Sequence, residues 1–139
     1  MGRFLAAPTV ARLATYRRDG FIHLTPVWFL FEEGLFYFTL GERRRHLRNL
    51  KRDPRATVLV DVDRRPDTGL RGEVRAVMCC GNVQISADPD RVNSIAARID
   101  SRYLGALSPE DGDVALSPET YELVVLTPVT VLTWDFSKP

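Results

Sequence analysis

The chain has 139 residues, of which 45% are hydrophobic and 27% charged, with a formal net charge of +1. That length makes a single domain, residues 1–139, long enough to bury most of a compact core. The near-neutral balance argues against a protein that holds nucleic acid or an anionic membrane through its overall charge.

Ala11 to Tyr16 is apolar with β-branched and aromatic members and reads as a strand. Arg17-Arg18-Asp19-Gly20 carries the Asp-Gly hairpin signal. Phe21 to Phe31 follows as one long strand, in which Ile22, Leu24 and Pro26 alternate with His23, Thr25 and Val27. Glu32-Glu33-Gly34 turns it back into Leu35 to Leu40, giving a three-stranded meander. Glu42 to Arg52 is a short basic helix, with Leu47 and Leu50 facing inward and Pro54 ending it. Strands Ala56 to Asp63 and Glu73 to Ile85 come next, separated by a polar loop from Arg64 to Arg71. Gly81 inside the second run marks a bulge or bend. A second helix is framed by Asp88 as cap, Pro89 at its first position and Gly105 past its end. Its apolar residues, Val92, Ile95, Ala96, Ile99 and Tyr103, fall at helical spacing on one buried stripe. After a loop from Leu107 to Glu119, two last strands run from Tyr121 to Leu126 and from Val129 to Asp135, with Pro128 at their junction.

The result is a mainly β, α+β chain of about seven hairpin-connected strands, a number that favours closure into a small barrel. Such a barrel is filled by its own side chains, so a large ligand must lie outside it, in a rim groove or between subunits. Trp28, Phe29 and Trp134 are candidates either for that groove or for the core. No run approaches ~18 uncharged apolar residues, and Arg3 and Arg12 interrupt the first dozen. Neither a transmembrane span nor a secretory signal is expected, and the chain reads as cytoplasmic.

Thr39 to Pro54 is the most informative stretch. A strand delivers its last residues to a helix start crowded with Arg43, Arg44, Arg45, His46 and Arg48, followed by Lys51 and Arg52. Free N–H groups, the helix dipole and bidentate guanidinium groups all favour a phosphate there. The competing reading is a solvated basic face. Cys79 and Cys80 are adjacent on a strand and point to opposite faces, which suits buried spectator thiols better than a bridge or a metal site. With His23 and His46 the only other soft ligands, zinc is not expected. Glu32 and Glu33 sit in a hairpin turn, where solvation explains them.

The order of segments resembles the flavin- and deazaflavin-binding split β-barrel proteins, the pyridoxamine 5'-phosphate oxidase-like group. The matching pieces are Leu13-Ala14-Thr15, Asp19-Gly20, Leu24-Thr25-Pro26-Val27-Trp28-Phe29, Tyr37-Phe38-Thr39 and Arg48-Asn49-Leu50-Lys51-Arg52-Asp53-Pro54. Arg102-Tyr103-Leu104-Gly105 and the closing Thr127-Pro128 through Thr133-Trp134-Asp135 are similar to its actinobacterial, F420-dependent branch. The resemblance implies a six- to seven-stranded antiparallel split β-barrel with two or three short helices, working as a homodimer with cofactor in a groove between subunits. It implies F420 as cofactor, with FMN the alternative. It places Thr25, Pro26, Val27 and Trp28 along the ring system, and Thr39, Arg43, Arg44, Arg45, His46, Arg48 and Asn49 around the phosphate. His46 stands where relatives commonly carry a phosphate-binding Lys, which leaves Arg44 and Arg45 to supply the permanent charge. The implied activity is hydride transfer from the reduced cofactor to a small electron-poor organic acceptor, with no side-chain nucleophile. A non-catalytic cofactor-binding protein, a carrier or sensor, is the other reading.

Overall fold

Seven antiparallel strands in one continuous sheet, with three helices against it, make up the described residues of the computed structural model, 1–64, 73–105 and 120–136. In chain order they are α1 (Gly2–Ala6), β1 (Ala11–Tyr16), β2 (Ile22–Val27), β3 (Leu30–Glu32), β4 (Leu35–Gly41), α2 (Arg45–Arg52), β5 (Arg55–Arg64), β6 (Glu73–Ser86), α3 (Pro89–Leu104) and β7 (Tyr121–Asp135). The strand order is β2-β1-β5-β6-β7-β4-β3. Of the loop expected from Arg64 to Arg71, Arg64 instead ends β5 opposite Glu73 and the rest lies outside the described residues, as does the loop expected at 107–119.

Inward residues of β2 and β4, near opposite ends of that order, share one apolar cluster, to which Val27, Phe36, Phe38, Leu13, Val58, Val77 and Leu126 all belong. The sheet therefore curls on itself around a filled core. It does not close by hydrogen bonds, because the end strands β2 and β3 are not paired. β3 covers only Leu35 to Tyr37 of β4, so from Phe38 onward β4 has a neighbour on its β7 side alone. Helix α2 packs against β1, β2 and β4 and plugs this split with the buried side chains of Leu47 and Leu50.

Three expectations are corrected in detail. The long strand from Phe21 to Phe31 is two strands, β2 paired with β1 and β3 paired with β4. It breaks at Trp28 and Phe29, where the Phe29 ring drops into the core and its N–H donates to the Tyr103 hydroxyl at 3.3 Å. The three-stranded meander is thereby two separate hairpins. Second, the chain does not stop at Pro128: β7 runs through it, because a bulge sets Gly81 against Pro128 and leaves Val129 without a partner. A Cβ on Gly81 would lie 2.1 Å from the Thr127 carbonyl oxygen, so only glycine permits the approach. Third, α1 has no cap signal and is absent from the sequence reading, yet its Leu5 is fully buried.

The helix α3 has the expected frame: Asp88 accepts from the Asp90 N–H at 3.2 Å, Pro89 opens it, and Gly105 follows at φ 73°. In β2 it is His23, Thr25 and Val27 that turn inward, while Ile22, Leu24 and Pro26 stay exposed. Residues directly opposite in an antiparallel pair share a face. The register therefore joins Ile22 and Leu24 to Tyr16 and Ala14, then to Thr57 and Leu59, Met78, Leu132 and Trp134 across five strands. This outer face is apolar, crossed by the Arg12–Asp61 ion pair.

Candidate functional site

Two one-sided strand margins and a helix start meet at the split. β2 bonds to β1 only, and β4 beyond Tyr37 bonds to β7 only, among the described residues. The Arg17 N–H bonds to the Phe21 carbonyl, so by the alternation of an antiparallel pair Thr25 and Val27 turn their backbone groups to Leu13 and Ala11 of β1. It is Leu24 and the Pro26 carbonyl on β2, with Thr39 on β4, that face away from any strand partner among the described residues and favour a ligand that can bond to them.

His23 on β2 and His46 on α2 are the chain's two histidines, and their rings stack with centroids 6.0 Å apart and planes 19° apart. That contact ties the β2 margin to the start of the helix. Nδ1 of His23 is buried there with no hydrogen-bond partner among the described residues. The helix itself begins badly by the usual rules. Its cap residue is Arg44, with no side-chain cap and no acid in the first turn, where Ser, Thr, Asp or Asn would satisfy the leading N–H groups. Arg43, Arg44, Arg45 and Arg48 are all exposed at this end, with Glu42 the one acid just before them. The Arg48 guanidinium donates to the Arg43 carbonyl at 3.4 Å, which folds it back over the turn. Cations at the positive end of a helix dipole repel it, and an external anion relieves both.

The rest of the basic stretch is spent on structure. Asn49 is turned into the core, 4% exposed; its amide donates to the Thr15 hydroxyl at 3.1 Å and accepts from Arg52 at 3.3 Å. Arg52 also donates to the Tyr16 carbonyl at 2.6 Å, and Lys51 pairs with Glu122 at 2.6 Å. The Arg55 guanidinium on Asp53 holds that carboxyl down at about 2.

Along β2, Thr25 is half-buried with its hydroxyl 3.5 Å from the Pro26 carbonyl, Pro26 is exposed, and Val27 is buried. Thr39 is half-buried on β4, opposite Leu123. Trp28 lies at the far end, five residues from His23, or roughly 16 Å at the usual strand rise. Its indole is 40% exposed and stacks flat on Tyr103, with centroids 4.7 Å apart and planes within 2°. The Tyr103 hydroxyl donates to the Thr9 carbonyl at 2.7 Å, and burial pushes its pKa up. Beside it Arg102 donates to the carbonyls of Leu5 and Ala7 at 2.7 and 2.6 Å and lies over the Phe29 ring. The structure thus gathers His46, Arg43 to Arg45 and Arg48 near one end of β2, and Trp28 at the other. Phe29 belongs to the core.

Sequence reasoning missed two residues. His23 was readable only as a half-exposed barrel position, since nothing local says that it faces His46. Tyr103 was placed on a buried stripe, but its hydroxyl partners come from sequence separations of 94 and 74 residues. Among the described residues no group of His, Cys, Asp and Glu side chains is arranged to hold a metal, and no helix is long and apolar enough to cross a membrane.

A model of the pyridoxamine 5'-phosphate oxidase family matches residues 1–135 of the chain. A conserved hypothetical protein from Mycobacterium tuberculosis has the same fold at a TM-score of 0.77, with 24% identity over 96% of this chain and 81% of that one. A protein described as an F420 reductase is 26% identical, at a TM-score of 0.69 over 94% of each chain. A haem storage protein from Vibrio cholerae shares the fold at 16% identity and a TM-score of 0.68, over 96% of this chain and 90% of that one.

Proposed function

Since the chain belongs to the pyridoxamine 5'-phosphate oxidase family, we propose that it is an oxidoreductase holding a phosphate-bearing ring cofactor, F420 or else FMN, across the barrel split. The observation that carries the reading is the start of α2: an uncapped helix N-terminus with exposed arginines and no acid in its first turn. Such an end fits a phosphate. The orphaned, buried Nδ1 of His23 beside His46 fits it too, since a phosphate oxygen or its bound water supplies the missing partner. Arg43, Arg44, Arg45, His46 and Arg48 hold the anion, with Thr39 at the adjoining strand end. Asn49 acts one step back, by fixing α2 against Thr15. The backbone of Thr25, Pro26 and Val27 follows the ring system, and Trp28 borders it. F420 is preferred over FMN on the likeness to the F420 reductase.

When bound, the reduced cofactor supplies a hydride to a small, electron-poor organic acceptor. The protein's part is to bind, orient and keep water from the reacting face, and water delivers the proton that completes the product. The apolar outer face from Ile22 to Trp134 is too continuous to be left wet, and it supports a homodimer built on it, with the groove between subunits; the cytoplasm is the compartment that goes with this reading. A non-catalytic binding protein, a carrier or sensor, is the second reading, favoured by the fold shared with a haem storage protein. Side-by-side titration of the purified protein with F420 and FMN tests cofactor binding. Oxidation of the reduced cofactor by menadione then separates enzyme from carrier: no turnover with a bound cofactor leaves the second reading standing.

A further inference from the structure

Trp28 is unusual in being large, exposed and yet held rigidly. Its chain neighbours Val27 and Phe29 are both buried, so the backbone beneath it is anchored in the core on either side. Tyr103 lies parallel to the indole and covers one of its faces. Tyr103 itself has little freedom, because its hydroxyl donates to the Thr9 carbonyl and accepts from the Phe29 N–H. Thr9, Phe29 and Tyr103 come from three separate parts of the chain, and α3 is fixed at both ends by Asp88 and Gly105. What remains is a flat, electron-rich surface, 40% exposed, whose one stacking partner among the described residues is Tyr103.

We infer that the face of the Trp28 indole away from Tyr103 is a stacking platform for a flat, electron-poor ring of the quinone or nitroaromatic class, and that Tyr103 is the positioning residue that keeps it flat. The inference rests on the reading above, in which the cofactor ring follows β2: an acceptor lying against that ring reaches the end of the strand where Trp28 stands. An indole face carries negative quadrupole density, so it favours an electron-poor partner in offset stacking. A cationic ligand would gain from the same face, but the Arg102 guanidinium, 5.4 Å from the Tyr103 ring centre, opposes one here.

The test needs no turnover. Trp28 and Trp134 are the only tryptophans, so Trp134→Phe leaves Trp28 as the sole indole emitter. Titrating that protein, free of cofactor, with menadione is expected to quench the Trp28 emission to saturation. In the same background Tyr103→Leu is expected to weaken menadione binding by about threefold to tenfold, whereas Tyr103→Phe, which keeps the stack, changes it by less than about twofold. Should Tyr103→Leu fail to fold, the exposed Trp28→Leu substitution in the otherwise unchanged chain, followed by calorimetry, is expected to abolish the same binding. Quenching that rises linearly without saturation, or menadione affinity unchanged in Trp28→Leu, overturns the platform. The same preparation titrated with FMN and F420 keeps the two readings apart. Cofactor binding with unsaturable menadione quenching overturns the platform alone, and saturable menadione binding without cofactor binding overturns the cofactor reading alone.

Discussion

Replacing Arg44 and Arg48 together by alanine tests the anion site directly. Both side chains are exposed, Arg48 donates to the Arg43 carbonyl at 3.4 Å, and a thermal melt of the free protein reports any part they play in the fold. A hydrogen bond to a charged group contributes ~1.5–3 kcal/mol when sheltered from water. Discounting for the solvent that reaches this end of α2 leaves about 1 kcal/mol for each arginine. The double variant should therefore lose about 2 kcal/mol of cofactor binding, roughly thirtyfold in Kd and no less than ~10-fold. The assay is quenching of intrinsic fluorescence on titration with FMN and with F420, alongside a thermal melt of the free protein. Lys51→Ala serves as the control, because Lys51 is committed to Glu122 and its loss should leave affinity unchanged. A double variant that melts like the parent and binds either cofactor with unchanged Kd refutes the phosphate site.

Four further outcomes are expected. Gly81→Ala should destabilise by ~3 kcal/mol or more in urea unfolding, because the new Cβ meets backbone atoms at 2.1 and 2.9 Å that cannot rotate away; a loss under about 1 kcal/mol would show that the bulge yields. His46→Lys should tighten FMN binding by ~3-fold or more, since it adds a permanent charge beside the arginines; weaker binding would give the imidazole, stacked on His23, a role of its own. Burial raises the Tyr103 pKa, so the stability it adds is complete below the ordinary value of 10.0 and is lost as the pH climbs through the folded value. Wild type should accordingly lose its lead over Tyr103→Phe in chemical denaturation above pH 10.0, and a constant difference across that range would contradict the buried hydroxyl. Leu24→Glu puts a charge on the β2 margin of the exposed apolar face and should turn a dimer into a monomer by sedimentation at micromolar protein; a parent chain that is already monomeric removes the dimer.

Legibility followed the range of the interaction. α3 could be read almost to the residue, because Asp88, Pro89 and Gly105 signal locally and its apolar stripe has helical period. β1 was likewise bounded correctly, while the turn read as Glu32-Glu33-Gly34 is one residue shorter, with Glu32 ending β3 and positive φ at Glu33 and Gly34. The break after Val27 was not readable, since Phe29 leaves the strand to fill the core and to meet Tyr103, a residue 74 positions away. The passage of β7 through Pro128 depends on Gly81 in a different strand. In the candidate site the excess of arginine was plain from sequence. Its division was not: only tertiary contacts show Lys51 and Arg52 taken by Glu122 and Tyr16, and Asn49 turned inward to Thr15. The start of α2 moved for a related reason, from Glu42 to Arg45, because the Arg44 N–H bonds back to Gly41 in a turn that precedes the helix.

Helix α2 shows how so unfavourable a helix start can be held in this fold. Arg44, Arg45 and Arg48 sit at the positive end of the dipole, each costing ~0.3–1 kcal/mol, or about 1–3 kcal/mol together. In isolation an eight-residue helix with that start would not form. Its opposite face, however, buries Leu47 and Leu50 in the split of the barrel, and each contributes ~1.5–3 kcal/mol. The apolar plug thus outweighs the misplaced charge, by a margin of the order of a few kcal/mol at most. The same side chains that close the barrel hold the guanidinium groups where local electrostatics alone would scatter them. In the proposed function a phosphate dianion would recover what the helix start had lost, so the strain at this end would become part of the binding energy.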